Sequence, residues 1–234
     1  MVKAVLFDLD GTLLPMDQDE FTKGYFKLLV KKLASYGYAE KSLVEAVWKG
    51  TAAMVKNDGT KSNEEAFWET FIAIYDEQAR NDIPLFNGFY AHEFNGTQAL
   101  CGFNPMAAEA VRRVKQAGFR VALATNPLFP EVAQVTRIRW AGLEPEDFEL
   151  YTTYENSSYC KPNPNYYRDM AMRLNISPSD CLMVGNDVDE DMEAAAVAGM
   201  KVFLLADCLL NRHGRDITNY PLGGFPELIS YLNL

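Results

Sequence analysis

The chain has 234 residues and a formal net charge of −10, and 48% of its residues are hydrophobic. This length suits one large domain or a core with a smaller insertion, and it allows a sizeable apolar core. The acidic balance disfavours binding to a nucleic-acid backbone. Because no apolar stretch approaches the ~18 residues of a membrane span, we also predict no membrane partner.

The chain contains four cysteines: Cys101, Cys160, Cys181 and Cys208. They lie far apart in the sequence and form no CxxC pair. This spacing favours buried, reduced thiols over disulfides or a zinc site. We therefore predict a cytoplasmic protein.

The first predicted element is the apolar run KAVLF at residues 3–7, which ends at the acidic turn Asp8-Leu9-Asp10-Gly11-Thr12. A short apolar run without strict alternation is typical of a strand that is buried on both faces of a parallel sheet. We therefore predict a buried strand with two carboxylates at its carboxyl end.

Residues 17–98 have a different pattern, in which apolar side chains recur at helical spacing and strand-like runs are scarce. The first such set is Phe21, Tyr25, Leu28, Leu29 and Leu33. Ser62 and Glu65 resemble a capping box. We predict a helical insertion, whose aromatic residues form either its own core or the wall of a pocket. The aromatic candidates for a pocket are Phe21, Tyr25, Trp48 and Trp68.

Beyond residue 98, apolar runs and helical patterns alternate. The runs are residues 119–125, 181–185 and 201–206, and the helical patterns are residues 105–117, 164–172 and 189–198. This alternation predicts an α/β fold with a doubly wound, Rossmann-like parallel sheet. The predicted core comprises residues 1–16 and 99–234, and the helical domain comprises residues 17–98.

Polar residues follow several of the predicted strands, and such strand ends converge on one crevice in an open α/β sheet. Asp8 and Asp10 are two residues apart and point the same way if the strand geometry persists. Such a pair of carboxylates needs a cation or a proton between them, and Mg²⁺ prefers their hard oxygen atoms. Gly11 allows a sharp turn that exposes backbone N–H groups.

Three further patches carry polar chemistry, and each also has a simpler interpretation. Thr125 and Asn126 could donate to phosphate oxygens, but these residue types also commonly form turns. Lys161 lies between Cys160 and Pro162 and could be held in one place, although most lysines are solvated. The acidic segment 185–191 could hold a metal ion or simply cap a helix.

Together the four patches identify the chain as a member of the haloacid dehalogenase (HAD) superfamily, which consists mostly of phosphatases. LFDLDGTL resembles the first motif, ALATN the second, KPNPNYY the third and VGNDVDEDMEAAAVAG the fourth, and together they span residues 4 to about 199. The insertion resembles the helical cap of the subgroup typified by phosphoglycolate phosphatase.

The resemblance implies a phosphohydrolase that acts on a small phosphorylated metabolite. Asp8 would attack phosphorus and carry the phosphoryl group, while Asp10 would protonate the leaving alcohol and then activate water. Thr125 and Lys161 would complete the catalytic set. The implied phosphate-binding residues are Gly11, Thr12, Thr125, Asn126 and Lys161.

The resemblance also implies Mg²⁺ as the cofactor, held by the Asp8 carboxylate, the Asp10 carbonyl group and an acid of the fourth motif. The family often reads Gly-Asp at this acid, whereas this chain reads Gly185-Asn186-Asp187.

If the glycine fixes the alignment, Asn186 is the ligand, and if the loop is one residue longer, Asp187 is the ligand. We predict Asp187, because a carboxylate is the better magnesium ligand. Asp191 either orients a water on the metal or caps the following helix.

Two alternative functions remain open at this point. A sugar-phosphate mutase of the same superfamily keeps both aspartates, and a non-catalytic binding protein could keep the fold. The sequence assigns no role to His92 or His213, and it identifies neither the substrate nor the oligomeric state.

Overall fold

The computed structural model describes all 234 residues and contains a six-stranded sheet in which every strand pairing is parallel. The strands are β1 (Ala4–Phe7), β2 (Arg120–Leu123), β3 (Leu150–Tyr151), β4 (Cys181–Gly185), β5 (Lys201–Leu205) and β6 (Leu222–Gly223). Their order is β3-β2-β1-β4-β5-β6, so the chain continues in opposite directions on the two sides of β1. The predicted doubly wound α/β fold is confirmed.

The four longer strands coincide with the four apolar runs. Every residue of β1 and β4 is buried, as expected for strands that are covered by helices on both faces. The edge strands β3 and β6 were not predicted, because each is only two residues long and has no apolar pattern of its own.

Nine α-helices accompany the sheet. They are α1 (Gln18–Leu33), α2 (Glu40–Val55), α3 (Asn63–Tyr75), α4 (Ile83–Ala91), α5 (Pro105–Gln116), α6 (Glu131–Trp140), α7 (Pro164–Arg173), α8 (Ala194–Val197) and α9 (Phe225–Tyr231). None of them is long and apolar enough to cross a bilayer. The side chains of Asn104 and Asn163 cap α5 and α7 by accepting hydrogen bonds from backbone N–H groups, as predicted.

Two helical regions differ from the sequence expectation. The segment after β4 opens as a π-helical turn, Val188–Glu193, and only then continues as α8. Helix α6 was not predicted at all, although it contributes a fully buried arginine to the region described below.

All of the chain between β1 and α5 that forms regular secondary structure is helical. It comprises α1 to α4 and short 3₁₀ turns at Ala34–Tyr36, Glu77–Asp82 and Glu93–Leu100. One continuous set of buried apolar residues extends from β1 into these helices. The helical nature of the insertion follows from this, while the boundaries at residues 17 and 98 stay a prediction.

The aromatic residues of the insertion divide into two groups. Trp68 is only 7% exposed and packs on Phe71 and Phe86, so it belongs to the interior of the helical insertion. Trp48 is 51% exposed, and its ring lies 5.4 Å from that of Phe26. Only Trp48 of these two is therefore placed to meet a ligand.

All four cysteines are free thiols. Cys160 and Cys181 are buried as expected, whereas Cys101 is half-buried and Cys208 is exposed. The expectation of burial is therefore wrong for Cys208, which lies in the polar loop that follows β5.

The capping box at the start of α3 allows a test of this local structure. The Ser62 hydroxyl accepts from the Glu65 N–H at 3.1 Å, and the Glu65 carboxylate accepts from the Ser62 N–H at 2.7 Å. Ser62→Ala should lower the free energy of unfolding by about 1 kcal/mol. The measurement is urea unfolding followed by tryptophan fluorescence. Ser35→Ala is the matched control, and an equal effect of both substitutions would contradict the capping role.

Candidate active site

The carboxyl ends of β1, β2 and β4 meet where the sheet order reverses. The Asp8 N–H donates to the Val184 carbonyl group at 2.9 Å, and the Ala124 N–H donates to the Phe7 carbonyl group at 2.7 Å. This pairing places the residues that follow all three strands beside one another. Open α/β sheets bind ligands at such a switch point.

Lys161 lies between two carboxylates in this crevice. It is 1% exposed, and its Nζ atom donates to Asp8 Oδ1 at 2.8 Å and to Asp191 Oδ1 at 2.6 Å. Burial alone would lower the pKa of Lys161, but the Asp191 and Asp8 carboxylates raise it well above its usual value. The interpretation as a solvated surface lysine is therefore wrong, and the ammonium group stays charged.

Asp191 also fixes the loop after β4. Its Oδ2 atom accepts from the N–H groups of Asn186 and Asp187, both at 3.1 Å. A Cβ atom at Gly185 would lie 2.2 Å from the same oxygen, so this position needs glycine. Asp191 does not cap the following helix, because Asp187 fills that position.

The two candidates for the fourth-motif metal ligand have different surroundings. Asp187 Oδ1 accepts from the N–H groups of Asp189 and Glu190, and its Oδ2 pairs with Arg212 at 2.5 Å. Asn186 accepts from the Thr12 hydroxyl at 3.0 Å and donates to the Cys208 carbonyl group.

Asn186 therefore packs on the loop of the first motif. The backbone of Gly11 has a φ of 85°, and a Cβ atom there would lie 2.4 Å from the Asn186 amide nitrogen. Gly11 is thus required both by its left-handed backbone and by this close approach.

Asp10 is paired with an arginine that the sequence did not reveal. Arg137 is 0% exposed, donates to Asp10 Oδ2 and to Gln134, and lies 4.4 Å from the centre of the Phe129 ring. Asp10 Oδ1 is buried and has no hydrogen-bond partner. Burial raises the pKa of Asp10, and the charge of Arg137 opposes this rise.

The position of Arg137 on its helix is the one signal that could have marked it. Helix α6 buries one stripe of residues, and that stripe includes the polar side chains of Gln134 and Arg137. A buried arginine needs a charged or polar partner. An arginine on the inner face of a predicted helix would therefore have marked this position.

Asn126 and Glu190 connect the second, third and fourth motifs. The Asn126 side chain accepts from the Lys161 N–H at 3.3 Å and donates to Glu190 Oε2 at 3.1 Å. Burial raises the pKa of Glu190. The Thr125 carbonyl group accepts from the hydroxyls of Thr152 and Tyr166, so the end of β2 is rigidly held.

The carboxyl groups of the crevice outnumber its cations. Five carboxyl groups, those of Asp8, Asp10, Asp187, Glu190 and Asp191, face three cations, those of Lys161, Arg137 and Arg212. No three acidic, histidine or cysteine side chains converge on one point. The excess of negative charge and the oxygen donors fit a divalent cation such as Mg²⁺. Asp187 would have to release Arg212 before it could bind the cation.

The two histidines lie outside this crevice. The Nδ1 atom of His213 is 2.7 Å from Asp189 Oδ2 at the surface, and His92 follows the end of α4. We assign neither residue a chemical role.

Comparison with known proteins shows which family the chain belongs to. The family of haloacid dehalogenase-like hydrolases matches residues 2–199, which is most of the chain. The chain therefore belongs to this family, as the four motifs predicted.

Individual relatives agree with this assignment. The chain is 27% identical over 203 residues to a phosphoglycolate phosphatase of Nitrosospira multiformis, covering 86% of this chain and 82% of that protein. It is 25% identical over 229 residues to a glyceraldehyde 3-phosphate phosphatase of Methanothermobacter thermautotrophicus, covering 93% and 95%. These relatives confirm the predicted class of enzyme, a phosphatase.

The fold is also shared with solved structures. The crystal structure of a 2-haloacid dehalogenase from Pseudomonas syringae superposes with a TM-score of 0.65 and covers 100% of this chain and 99% of that one. The sequences are 18% identical, so this match shows the common fold and no more.

The pairing of Arg137 with Asp10 predicts a difference in stability between two aspartate variants. Asp10→Ala leaves Arg137 buried with only a neutral partner, Gln134, which should lower the free energy of unfolding by about 3–5 kcal/mol. Asp8→Ala should cost less, because Lys161 keeps Asp191 as a partner. Urea unfolding followed by tryptophan fluorescence measures both effects.

The control for this prediction removes the buried charge as well. Asp10→Ala combined with Arg137→Met should recover most of the lost stability, since no uncompensated cation remains. Equal costs for the two aspartate variants, or no recovery in the double variant, would contradict the proposed charge pair.

Proposed function

We propose that the chain hydrolyses phosphate monoesters of small metabolites through an aspartyl-phosphate on Asp8. The observation that carries this proposal is the buried ammonium group of Lys161, held 2.8 Å from a carboxylate at the switch point of the sheet. Phosphoryl transfer depends mainly on positioning and charge neutralisation, and this pair supplies both.

Asp8 is the nucleophile in this proposal. Lys161 binds Oδ1 and orients the carboxylate, which leaves Oδ2 to attack phosphorus. The same ammonium group, together with the Thr125 hydroxyl, would face the oxygens of the transferring phosphoryl group. Asn126 connects the Lys161 backbone to Glu190 and so keeps the lysine loop in place.

Asp10 is the acid and base. Arg137 holds Oδ2, and the partner-free Oδ1 is the atom that we assign to proton transfer. It would donate a proton to the leaving alcohol and later accept one from the attacking water. The rise in the pKa of Asp10 that burial causes favours the protonated form needed for the first step.

The residues that would hold Mg²⁺ are the Asp8 carboxylate, the Asp10 carbonyl group and Asp187, with Asn186 as the alternative ligand and Asp191 behind them. When bound, the cation would neutralise charge on the phosphoryl group. The Gln18 amide is 3.4 Å from the Asp10 carbonyl oxygen, a contact long enough to be given up easily.

Helices α1 to α4 would act as a cap that covers the crevice and excludes water during turnover.

The cellular location that we propose is the cytoplasm, as predicted from the sequence. Its reducing conditions suit a protein with four free thiols. The relatives named above act on small phosphorylated compounds, which supports the substrate class but not a particular substrate.

Replacing the nucleophile tests the proposal directly. Asp8→Asn keeps the shape of the side chain but removes its charge, so phosphate release should fall by at least about three orders of magnitude. The assay is inorganic phosphate release from a panel of monoesters with Mg²⁺, and beryllofluoride should label wild type at Asp8 but not the variant. Asp169→Asn, at a surface ion pair with Arg173, is the control.

Two outcomes would contradict this assignment. An Asp8→Asn variant with wild-type turnover would exclude Asp8 as the nucleophile. Glucose 6-phosphate formed from β-glucose 1-phosphate, with little free phosphate, would identify a mutase instead.

The dependence of turnover on Mg²⁺ tests the metal site and distinguishes the two candidate ligands. Chelation should abolish turnover and Mg²⁺ should restore it. If Asp187 is the ligand, Arg212→Gln removes a competing cation and should lower the Mg²⁺ concentration for half-maximal activity severalfold. Arg215→Gln is the matched control, because Arg215 pairs with Asp189. An unchanged Mg²⁺ requirement in Arg212→Gln would favour Asn186.

A further inference from the structure

A cavity of about 200 Å³ joins the crevice to the helical insertion. Asp10 and Glu190 line it, and seven of its sixteen lining residues are aromatic and come from α1 to α4 and the loop before α6. The aromatic residues that the argument uses are Tyr25, Phe26, Trp48, Phe67 and Phe129. An apolar cavity of about 150 Å³ accommodates a benzene ring, so this space suits a ring-sized group beside the phosphate.

The charged residues that line the cavity disfavour an anionic group on the leaving alcohol. Asp10 and Glu190 are its only charged residues, and no lysine or arginine lines the cavity. Arg137 lies behind Asp10 and is already bound to it. A carboxylate or second phosphate on the leaving group would therefore lose water without gaining a cation, which is costly.

Three hydroxyl groups of the wall already make hydrogen bonds within the protein. The hydroxyls of Tyr25 and Tyr90 bond to each other at 2.8 Å, and the Thr51 hydroxyl donates to the Val47 carbonyl group at 2.9 Å. Ten of the sixteen residues that line the cavity are apolar, so a sugar would place most of its hydroxyl groups against apolar surface. The wall therefore disfavours polyhydroxylated leaving groups as well as anionic ones.

Trp48 at the outer wall has apolar surface left to cover. Its side chain is 51% exposed and lies against Phe26. An apolar ring in the cavity would remove part of this aromatic surface from water, which is favourable.

We propose that the preferred substrates are phosphate monoesters of a neutral, apolar, ring-sized alcohol that carries no second anionic group. This inference rests on the proposed phosphatase function. In the reaction, the P–O bond of the ester breaks as Asp8 bonds to phosphorus, and the alcohol leaves with the proton of Asp10. Water then cleaves the aspartyl-phosphate, so that ester and water give alcohol and inorganic phosphate.

A matched pair of esters tests the inference. Benzyl phosphate and 4-carboxybenzyl phosphate have similar leaving groups and differ in one remote carboxylate. With Mg²⁺, the wild type should have a kcat/KM at least about tenfold higher for benzyl phosphate, and phosphoglycolate and glucose 6-phosphate should also be poorer substrates.

A cation placed in the wall should reverse this preference. Thr51→Lys should raise kcat/KM for the carboxylated ester severalfold and lower it for benzyl phosphate. Thr70→Lys is the matched control, because Thr70 makes the same hydroxyl bond to a preceding carbonyl group but does not line the cavity.

Trp48→Ala should raise KM for benzyl phosphate more than it lowers kcat, whereas Tyr36→Ala, at an exposed ring elsewhere, should change neither.

The outcomes separate this inference from the proposed function. Equal or faster hydrolysis of the carboxylated ester would overturn the inference while the phosphatase assignment stands. If no ester releases phosphate, the proposed function fails, and titration of both esters against Asp8→Asn by tryptophan fluorescence decides the inference. Tighter binding of the carboxylated ester in that titration would overturn it.

Discussion

The crevice depends on one buried ammonium group. Lys161 bonds to the carboxylates of Asp8 and Asp191, and Asp191 in turn binds the backbone of the loop after β4. Without this cation, two buried carboxylates would repel each other, and one or both would have to become protonated. The lysine therefore connects the ends of β1 and β4 to the loop that carries it, and it fixes the orientation of the Asp8 carboxylate.

A second ion pair gives the other aspartate a separate environment. Arg137 reaches Asp10 from α6, whereas Lys161 reaches Asp8 from the loop before α7. Each carboxylate therefore has its own cation, which lessens the repulsion between the two. These separate environments are consistent with the different roles that we propose for Asp8 and Asp10. The remaining excess of negative charge is what a divalent cation would neutralise.

The four longer strands and the four motifs were predictable because both depend on local patterns. A buried parallel strand is a short apolar run, and its carboxyl end is where reactive residues gather. Arg137 was missed because its partner is 127 positions away, and the helix that carries it was not predicted. Glu190 was missed because it is one of several adjacent acids with nothing local to distinguish it. Trp48 and Trp68 have similar sequence surroundings, and only packing shows that one is internal and the other lines the cavity.

The crevice is mainly charged and the cavity mainly apolar, so in the proposed function they would serve reaction and specificity separately. Charged and hydrogen-bonding groups gather at the strand ends, and relatives that match most of this chain carry the names of different substrates. In the reaction that we propose, the alcohol part of the ester would instead meet the helical insertion, where most of the residues that line the cavity are apolar. No lysine or arginine that could bind a carboxylated ester lines this cavity. The substrate of this chain therefore has to be deduced from its own cavity rather than transferred from relatives that share about a quarter of its sequence.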